Sequence, residues 1–456
     1  MALIADAPAG NHRSGNVDAL IDEPRLSGLQ WQVFVICAFV LLCEGYDLQA
    51  LALAVPQIAT EFGIAAARFS IALSASLAGM AIGGAVFAPL GDRIGRKPML
   101  VIAMLLAGGS TLAALAFADT GWIAACRLFT GIGLGITTVN AAAMISDYSP
   151  ARWRFLLMTL LTATVPGGAS LAALIAPHLI AAFGWRGIFV AGSLVPLGAA
   201  LLTALWAPES LKWLVATKPN DPRIGRIIAR LAPGLDPSRL FVDQHEIAVR
   251  RSVVGLLSPA HRIRTLVVWL SAISGAFSLY LMVSWLPTLL QQAHWSTADA
   301  LTGTAAPQLG GIAGSLLMAW AIDRRRLLTG LVAGYACATA ALLAIGLLPG
   351  SVPAWLFLLL LAGAGTAGMQ NIWMATAVGL YPLDLRATSA GWVAAVSRLG
   401  AVSAPLAGGL AMGAHIAPQH VLLALVAPIG VSTVAIVLAR KHFVPPAPVI
   451  EQGERL

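Results

Sequence analysis

The sequence predicts an all-α integral membrane protein of twelve transmembrane helices in two six-helix bundles, and three observations predict it. Of its 456 residues 58% are apolar and only 11% charged, where soluble domains carry roughly a quarter of charged residues. Twelve apolar runs each approach the about 20 residues that a helix needs to cross a bilayer. The loops after the second and fourth runs return after the eighth and tenth: "APLGDRIGRK" (88 to 97) with "AWAIDRRR" (319 to 326), and "DYSPARWR" (147 to 154) with "YPLDLRATS" (381 to 389). The offsets are 231 from Asp92 to Asp323 and 233 from Tyr148 to Tyr381. Parallel repeats of this kind mark membrane proteins whose halves rock about a site near the midplane.

Residues 1 to 30 hold Asp6, Asp18, Asp22 and Glu23 with Pro and Gly. They lack the basic start and small-residue cleavage site of a signal peptide, so a flexible cytoplasmic tail is expected. The first bundle, 31 to 206, has spans at 31 to 54, 69 to 90, 99 to 118, 121 to 146, 155 to 179 and 186 to 206. A polar connection, 207 to 264, carries ten Lys or Arg against five Asp or Glu, with an amphipathic helix expected around Arg223 to Leu231. The second bundle, 265 to 439, has spans at 265 to 289, 299 to 322, 327 to 348, 353 to 378, 388 to 413 and 420 to 439. A second cytoplasmic tail, 440 to 456, closes the chain.

With both termini cytoplasmic, 24 of the 28 Lys and Arg fall on the cytoplasmic side and only Arg68 and Arg186 on the other. This is the positive-inside asymmetry, and it accounts for the formal charge of +8 without nucleic acid as a partner; the lipid bilayer is the partner implied. Cys37, Cys43, Cys126 and Cys337 lie in apolar runs and offer neither a disulfide framework nor metal spacing. No cofactor loop is present either, since "GIGLG" (131 to 135) and "GAGTAG" (363 to 368) are followed by no Lys and preceded by no strand. Small residues there suit close helix approach.

The motif "GDRIGRK" (91 to 97) resembles the loop signature of the major facilitator superfamily, with Ala88 where its first Gly usually stands and Gly91 where Ala is common. "RLFTGIGLG" (127 to 135) is similar to that superfamily's fourth-helix arginine motif. "EGYDLQA" (44 to 50) resembles the first-helix motif of its aromatic acid:proton symporters, with Glu44 in place of the first Asp as in the 3-(3-hydroxyphenyl)propionate carriers. "SWLPTLL" (284 to 290), "YPLDLRATSAG" (381 to 391) and "SRLGAVSAPLAGG" (397 to 409) look like further segments of that family. The resemblance implies a monomeric, proton-coupled importer of small aromatic carboxylates.

The two halves of that expectation can be placed on residues. Glu44, Asp47, Arg127 and Arg398 are the four charges inside spans, each costing about 2.5 to 3.5 kcal/mol at a helix centre unless paired or in a wet cavity. Glu44 and Asp47 are three apart and share a helix face. Asp47 lies about 10 Å inside the outer end of its span and Arg127 about 9 Å, so a pair is expected in which Asp47, with Glu44 nearby, exchanges between a proton and the Arg127 guanidinium. Arg398, about 15 Å deep among small neighbours, is the expected anchor for the substrate carboxylate. Tyr46, Trp285, Trp373 and Trp392 are candidates for an aromatic slot, and Asn140, Gln308, Gln370 and Asn371 for polar contacts. Asp92, Arg93, Arg96, Lys97, Asp323 and Arg324 are expected to form a conformational latch at the cytoplasmic face.

Other readings stand beside this one. The four charges serve equally as structural ion pairs, the aromatics and amides as packing, and His178 as a satisfied polar side chain. An exporter of aromatic or amphiphilic compounds would use the same scaffold, and a membrane sensor would bind an aromatic acid without moving it. An enzyme is excluded on the residues, because no His-Asp pair, Ser-His-Asp set or metal cluster falls where helices could assemble it.

Overall fold

A computed structural model describes residues 17–22, 26–117, 119–231, 253–324, 326–348 and 351–443. We label α1 to α12 the helices at the twelve expected span positions. They are α1 Gly28–Phe62, α2 Ser70–Ile82, α3 Arg96–Ala113, α4 Thr120–Tyr148, α5 Ala151–Phe183 and α6 Trp185–Trp206 in one half. In the other they are α7 Arg262–Gln292, α8 Ala305–Asp323, α9 Leu327–Leu347, α10 Val352–Leu380, α11 Leu383–Gly413 and α12 Val426–Leu438. Eleven helical segments among the described residues are long and apolar enough to cross a membrane. The twelfth position is filled by α3, 18 residues long, whose first turn is spent on Arg96, Lys97 and Pro98.

The helices begin and end where local chemistry dictates. Ser27 and Gln30 make a reciprocal capping box at the start of α1. Gly63, at φ 64°, closes α1 with a left-handed residue, and Ile64 then donates to the Ala59 carbonyl 3.0 Å away. His294 and His415, at φ 63° and 54°, close α7 and α11 in the same way. Trp295 donates to Leu290 and Ile416 to Ala411, both at 3.1 Å. His294 lies 231 residues after Gly63 and His415 lies 231 after Gly184, so the repeat offset read from the loops recurs in the helix caps.

Small residues set the packing inside each half. A Cβ on Gly45 of α1 would stand 1.9 Å from the Val165 carbonyl oxygen of α5, and one on Gly168 of α5 2.0 Å from that of Leu42. Gly131 of α4 meets Ser76 of α2 at 2.0 Å in the same sense, and Gly363 of α10 meets Pro307 of α8 at 2.0 Å. These contacts hold the α1–α5, α2–α4 and α8–α10 backbones against one another. The stretch after α2 widens at Gly83–Phe87 and tightens at Ala88–Leu90, where Pro89 supplies no N–H.

Between the halves α1 meets α7, α2 meets α11 and α5 meets α8. The bonds sit at the end away from the basic loops. Ser74 Oγ donates to the Val402 carbonyl at 2.9 Å, Gln49 Nε2 to that of Val283 at 3.2 Å, and Gly409 packs against Ser70. Among the described residues no ion pair joins the two halves.

One expectation needs adjusting. Residues 17–22 do not behave as a free tail: Val17 and Ile21 are buried, Asp18 pairs with Lys212 at 2.5 Å, and Asp22 accepts from the Ala151 N–H at the start of α5 at 2.5 Å. The basic connection carries the amphipathic helix expected around Arg223 to Leu231, at Pro222–Leu231, preceded by a helix at Leu211–Thr217. The amphipathic helix buries Ile224, Ile227 and Ile228, while residues 232–252 lie outside those described.

The glycine contacts make a direct prediction. Gly45→Ala forces α1 and α5 apart and should destabilise by about 1 to 3 kcal/mol, read as a lower midpoint in thermal unfolding of the detergent-solubilised protein. Gly109→Ala, where nothing lies within 4 Å of the added methyl, should leave the midpoint unchanged or raise it.

Candidate functional site

Asp47 is the twentieth of the 35 residues of α1, close to its middle. Its carboxylate accepts from Arg127 Nη1 at 3.0 Å and lies 2.8 Å from Nη2, and the Thr111 hydroxyl of α3 donates to it at 3.1 Å. Arg127 Nη2 also donates to the Asp47 carbonyl at 3.0 Å and to Ser76 Oγ of α2 at 3.1 Å. Both side chains are 1% exposed, so this pair has no water to fall back on. Thr130, one turn after Arg127, bonds to Ser110 at 2.8 Å and extends the polar cluster into α3.

Glu44 is buried on the same helix face but holds different partners. The Thr138 hydroxyl of α4 donates to its Oε2 at 2.8 Å, and it lies within electrostatic reach of both Asp47 and Arg398. Arg398, on α11, is half-buried and makes no hydrogen bond or ion pair among the described residues. Tyr280 of α7 stands within electrostatic reach of Arg398 and Glu44. It also lines a gap of about 10 Å³ beside Arg127 that both halves wall, with Leu51 and Ser76 on one side and Val283 on the other. Charge in the N-terminal half thus faces a lone guanidinium in the C-terminal half.

Polar groups without charge lie deeper in the C-terminal half. The Gln370 side-chain oxygen is buried with no hydrogen-bond partner among the described residues, over Gly275, where a Cβ would meet it at 2.6 Å and the Tyr335 hydroxyl at 3.7 Å. Tyr335 accepts from Trp373 Nε1 at 2.8 Å. Gln49 and Gln308 border a second gap between the halves.

The other expected contacts are placed elsewhere. Tyr46 donates to the Ile188 carbonyl at 3.0 Å and packs towards α6, because two residues beyond Glu44 is about 200° around a helix. Trp285 is fully buried, its N–H donated to the Pro405 carbonyl at 2.9 Å. Trp392 stacks on Trp269 with ring centres 5.3 Å apart. Asn140 donates to the Ala88 carbonyl at 3.3 Å, and its side chain fills the space a Cβ on Gly91 would need. The side chains of Asn371 and Asp323 lie outside the described residues.

At the basic end, Asp92 pairs with Arg96 at 2.9 Å and Arg96 lies 3.6 Å from Asp147. Glu209, which the sequence reading passed over, accepts from the N–H groups of Arg96 and Lys97 at 2.9 and 3.1 Å, on the positive end of α3. Gly95, at φ 110°, leaves room for that carboxylate. Ser210 donates to Asp147 at 2.7 Å and Trp213 to the Asp92 carbonyl at 2.8 Å. All these bonds stay within the N-terminal half and its connection. Arg93 is exposed without a partner among the described residues, and Arg324 lies over Trp320 at 5.1 Å.

Two bundles of membrane-crossing helices, repeated in parallel around buried and unequally shared charge, define a membrane carrier protein rather than an enzyme. The chain belongs to the Major Facilitator Superfamily, whose family model matches residues 37–405. It is 31% identical over 434 residues to the 4-hydroxybenzoate transporter PcaK of Acinetobacter baylyi, covering 94% of this chain and 95% of that one. It is also 31% identical to the 3-(3-hydroxy-phenyl)propionate transporter of Escherichia coli, over 83% of this chain and 86% of that one. The inward-open structure of the xylose transporter XylE from E. coli superposes with a TM-score of 0.72 at 16% identity, over 92% of this chain and 98% of that one, a likeness of fold.

The buried pair predicts strong coupling. Asp47→Ala and Arg127→Ala should each cost about 3 to 5 kcal/mol, because each strands a buried charge, and the double variant should cost less than the sum. Thermal unfolding of the four proteins measures this, and additive losses would mean that the two side chains are energetically independent.

Proposed function

We propose that this protein is a proton-coupled symporter that imports small hydroxylated aromatic carboxylates across a bacterial-type inner membrane. One observation carries the reading: two buried carboxylates lie on one face of α1, Asp47 paired with Arg127 and Glu44 within electrostatic reach of Arg398, which has no hydrogen-bond or ion-pair partner among the described residues. A substrate carboxylate completes the charge of Arg398 through a bidentate contact, and Gln370 Oε1 accepts the ring hydroxyl. The names of the 4-hydroxybenzoate and hydroxyphenylpropionate relatives supply the cargo class.

In this reading proton coupling acts through the Asp47 and Arg127 pair. When Arg127 holds Asp47 the carboxylate stays ionised, and when the guanidinium moves away the same group takes a proton to avoid an unpaired buried charge. Glu44 lies within electrostatic reach of Asp47 on the same helix, so a change at the Arg127 pair is felt by both carboxylates. With both termini cytoplasmic, the described hydrogen bonds between the halves lie towards the outer end, which supports an inward-facing reading. In the outward-facing state the Asp92, Arg93, Arg96 and Lys97 loop and its Asp323 and Arg324 counterpart would latch the inner side.

Uptake of labelled 4-hydroxybenzoate and 3-(3-hydroxyphenyl)propionate by expressing cells tests this, with and without a protonophore. The wild type should accumulate at least one of them in a protonophore-sensitive way. Arg398→Ala should weaken apparent affinity roughly tenfold to a hundredfold, the worth of hydrogen bonds to a charged group. Asp47→Asn should abolish accumulation while retaining exchange of labelled for unlabelled substrate. A correctly inserted wild type that accumulates neither acid sinks the proposal.

A further inference from the structure

Outside the central site, the face that carries the basic loops holds a cavity of about 300 Å³. Its walls are the start of α1, the end of α6, Lys97 in the first turn of α3, and the helix Pro222–Leu231. Four cations line it, Lys97, Arg223, Arg226 and Arg230, with the carboxylate of Glu209. Its Oε1 accepts from the N–H groups of Arg96, Lys97 and Ser210, while its Oε2 has no hydrogen-bond partner among the described residues, so one negative charge stands against the four cations. Arg223 pairs with Asp221 at 2.7 Å, a half-buried contact that holds the Asp221 carboxyl down to about 2 through its hydrogen bonds, and Arg230 donates to Gln32 of α1 at 2.7 Å. The Lys97 ammonium and Arg226 have no hydrogen-bond or ion-pair partner among the described residues. Lys97 lies within electrostatic reach of Glu209 and also of Arg223 and Arg226.

Beside this cavity runs an apolar groove of about 420 Å³ between α1 and the end of α6, walled by Trp31, Val35, Ile36 and Trp206. Trp206 borders both spaces. Val35 and Trp206 are each 60% exposed on the lipid-facing side, and tryptophans at that level mark the membrane interface. A surplus of positive charge at the mouth of a lipid-facing groove has one occupant that satisfies both: a soluble anion would leave the groove bare, and a neutral lipid would leave the cations unpaired.

We propose that these two spaces form a binding site for one anionic phospholipid. Its phosphate sits among Lys97, Arg226 and Arg230, and one acyl chain lies in the groove past Trp206. The site bridges α1, α3, α6 and the amphipathic helix Pro222–Leu231, so the lipid ties the connection between the halves to the N-terminal half.

Native mass spectrometry of the purified full-length protein, titrated with phosphatidylglycerol, with phosphatidylcholine of the same chains, and with inorganic phosphate, tests the assignment. The wild type should retain phosphatidylglycerol in preference to phosphatidylcholine, and inorganic phosphate should not displace it. Arg226→Gln/Arg230→Gln, which removes two exposed charges far from the central site, should reduce that preference roughly thirtyfold at about a tenfold loss per 1.4 kcal/mol and about 1 kcal/mol per charge. The control Arg440→Gln/Lys441→Gln, at the end of α12 on the same face, should keep it. Equal retention of the two lipids, displacement by inorganic phosphate, or the same loss in the control pair would each overturn the proposal.

Discussion

A carboxylate in the hydrocarbon layer has no water to turn to, and the N-terminal half is arranged around that constraint. Asp47 is held at once by Arg127 and Thr111, and Arg127 also reaches Ser76, so helices α1, α2, α3 and α4 all converge on one buried pair. Such convergence needs the backbones close together, which is what the bare glycine surfaces at Gly45, Gly131 and Gly168 allow. The pair contributes little net stability of its own, because desolvation offsets much of the attraction. Its effect is specificity: any displacement of α4 relative to α1 leaves two charges stranded.

The repeats share geometry and divide the chemistry. Counting back 231 residues from Gly310 and Gly314 of α8 gives Gly79 and Gly83 of the α2 span, and each of these glycines lies against the fourth helix of its own half. The same step takes Glu44 to Gly275, Asp47 to Ser278 and Arg398 to Gly167. At these three positions the other half has a small residue, while Arg127 maps to Leu358, so no charge is mirrored by a like charge in the other half. Gly275 makes the room into which the Gln370 oxygen points, and a second carboxylate there would repel Glu44 across the interface.

Much of this was legible in the sequence because membrane helices obey simple rules of length and depth. Equal depth from the same face was enough to put Asp47 beside Arg127, and the matching loop offsets anticipated the matching caps. Residue type without direction was less informative. Tyr46 and Trp285 sit on spans near the centre, yet each spends its polar atom on a backbone carbonyl of its own half, as buried Tyr and Trp usually do. Glu209 and Asp147 were hidden for the opposite reason: a lone acid at the end of a span reads as a solvated charge, and only the fold brings both to the start of α3. Thr111, Ser76 and Thr138 carried no signal at all, since a hydroxyl in an apolar helix commonly bonds its own backbone.

The distribution of contacts also says where the molecule is stiff and where it can move. Within each half the helices touch backbone to backbone, and the polar clusters close on themselves: the Arg96, Asp147 and Glu209 group at one end, the Asp47 pair at the centre. Between the halves the described bonds are two neutral ones, from Gln49 and Ser74, to carbonyls, with small residues such as Gly409 against Ser70. Parting such an interface exposes no ion and leaves few orphaned donors, whereas bending a half would break charge-assisted bonds in a medium that cannot replace them. The low-energy motion is therefore a rotation of one intact half against the other. That rotation would change the surroundings of Glu44 and Arg398, the two charges that face each other across the seam, while leaving the Asp47 and Arg127 pair inside a rigid body until Arg127 itself is drawn away.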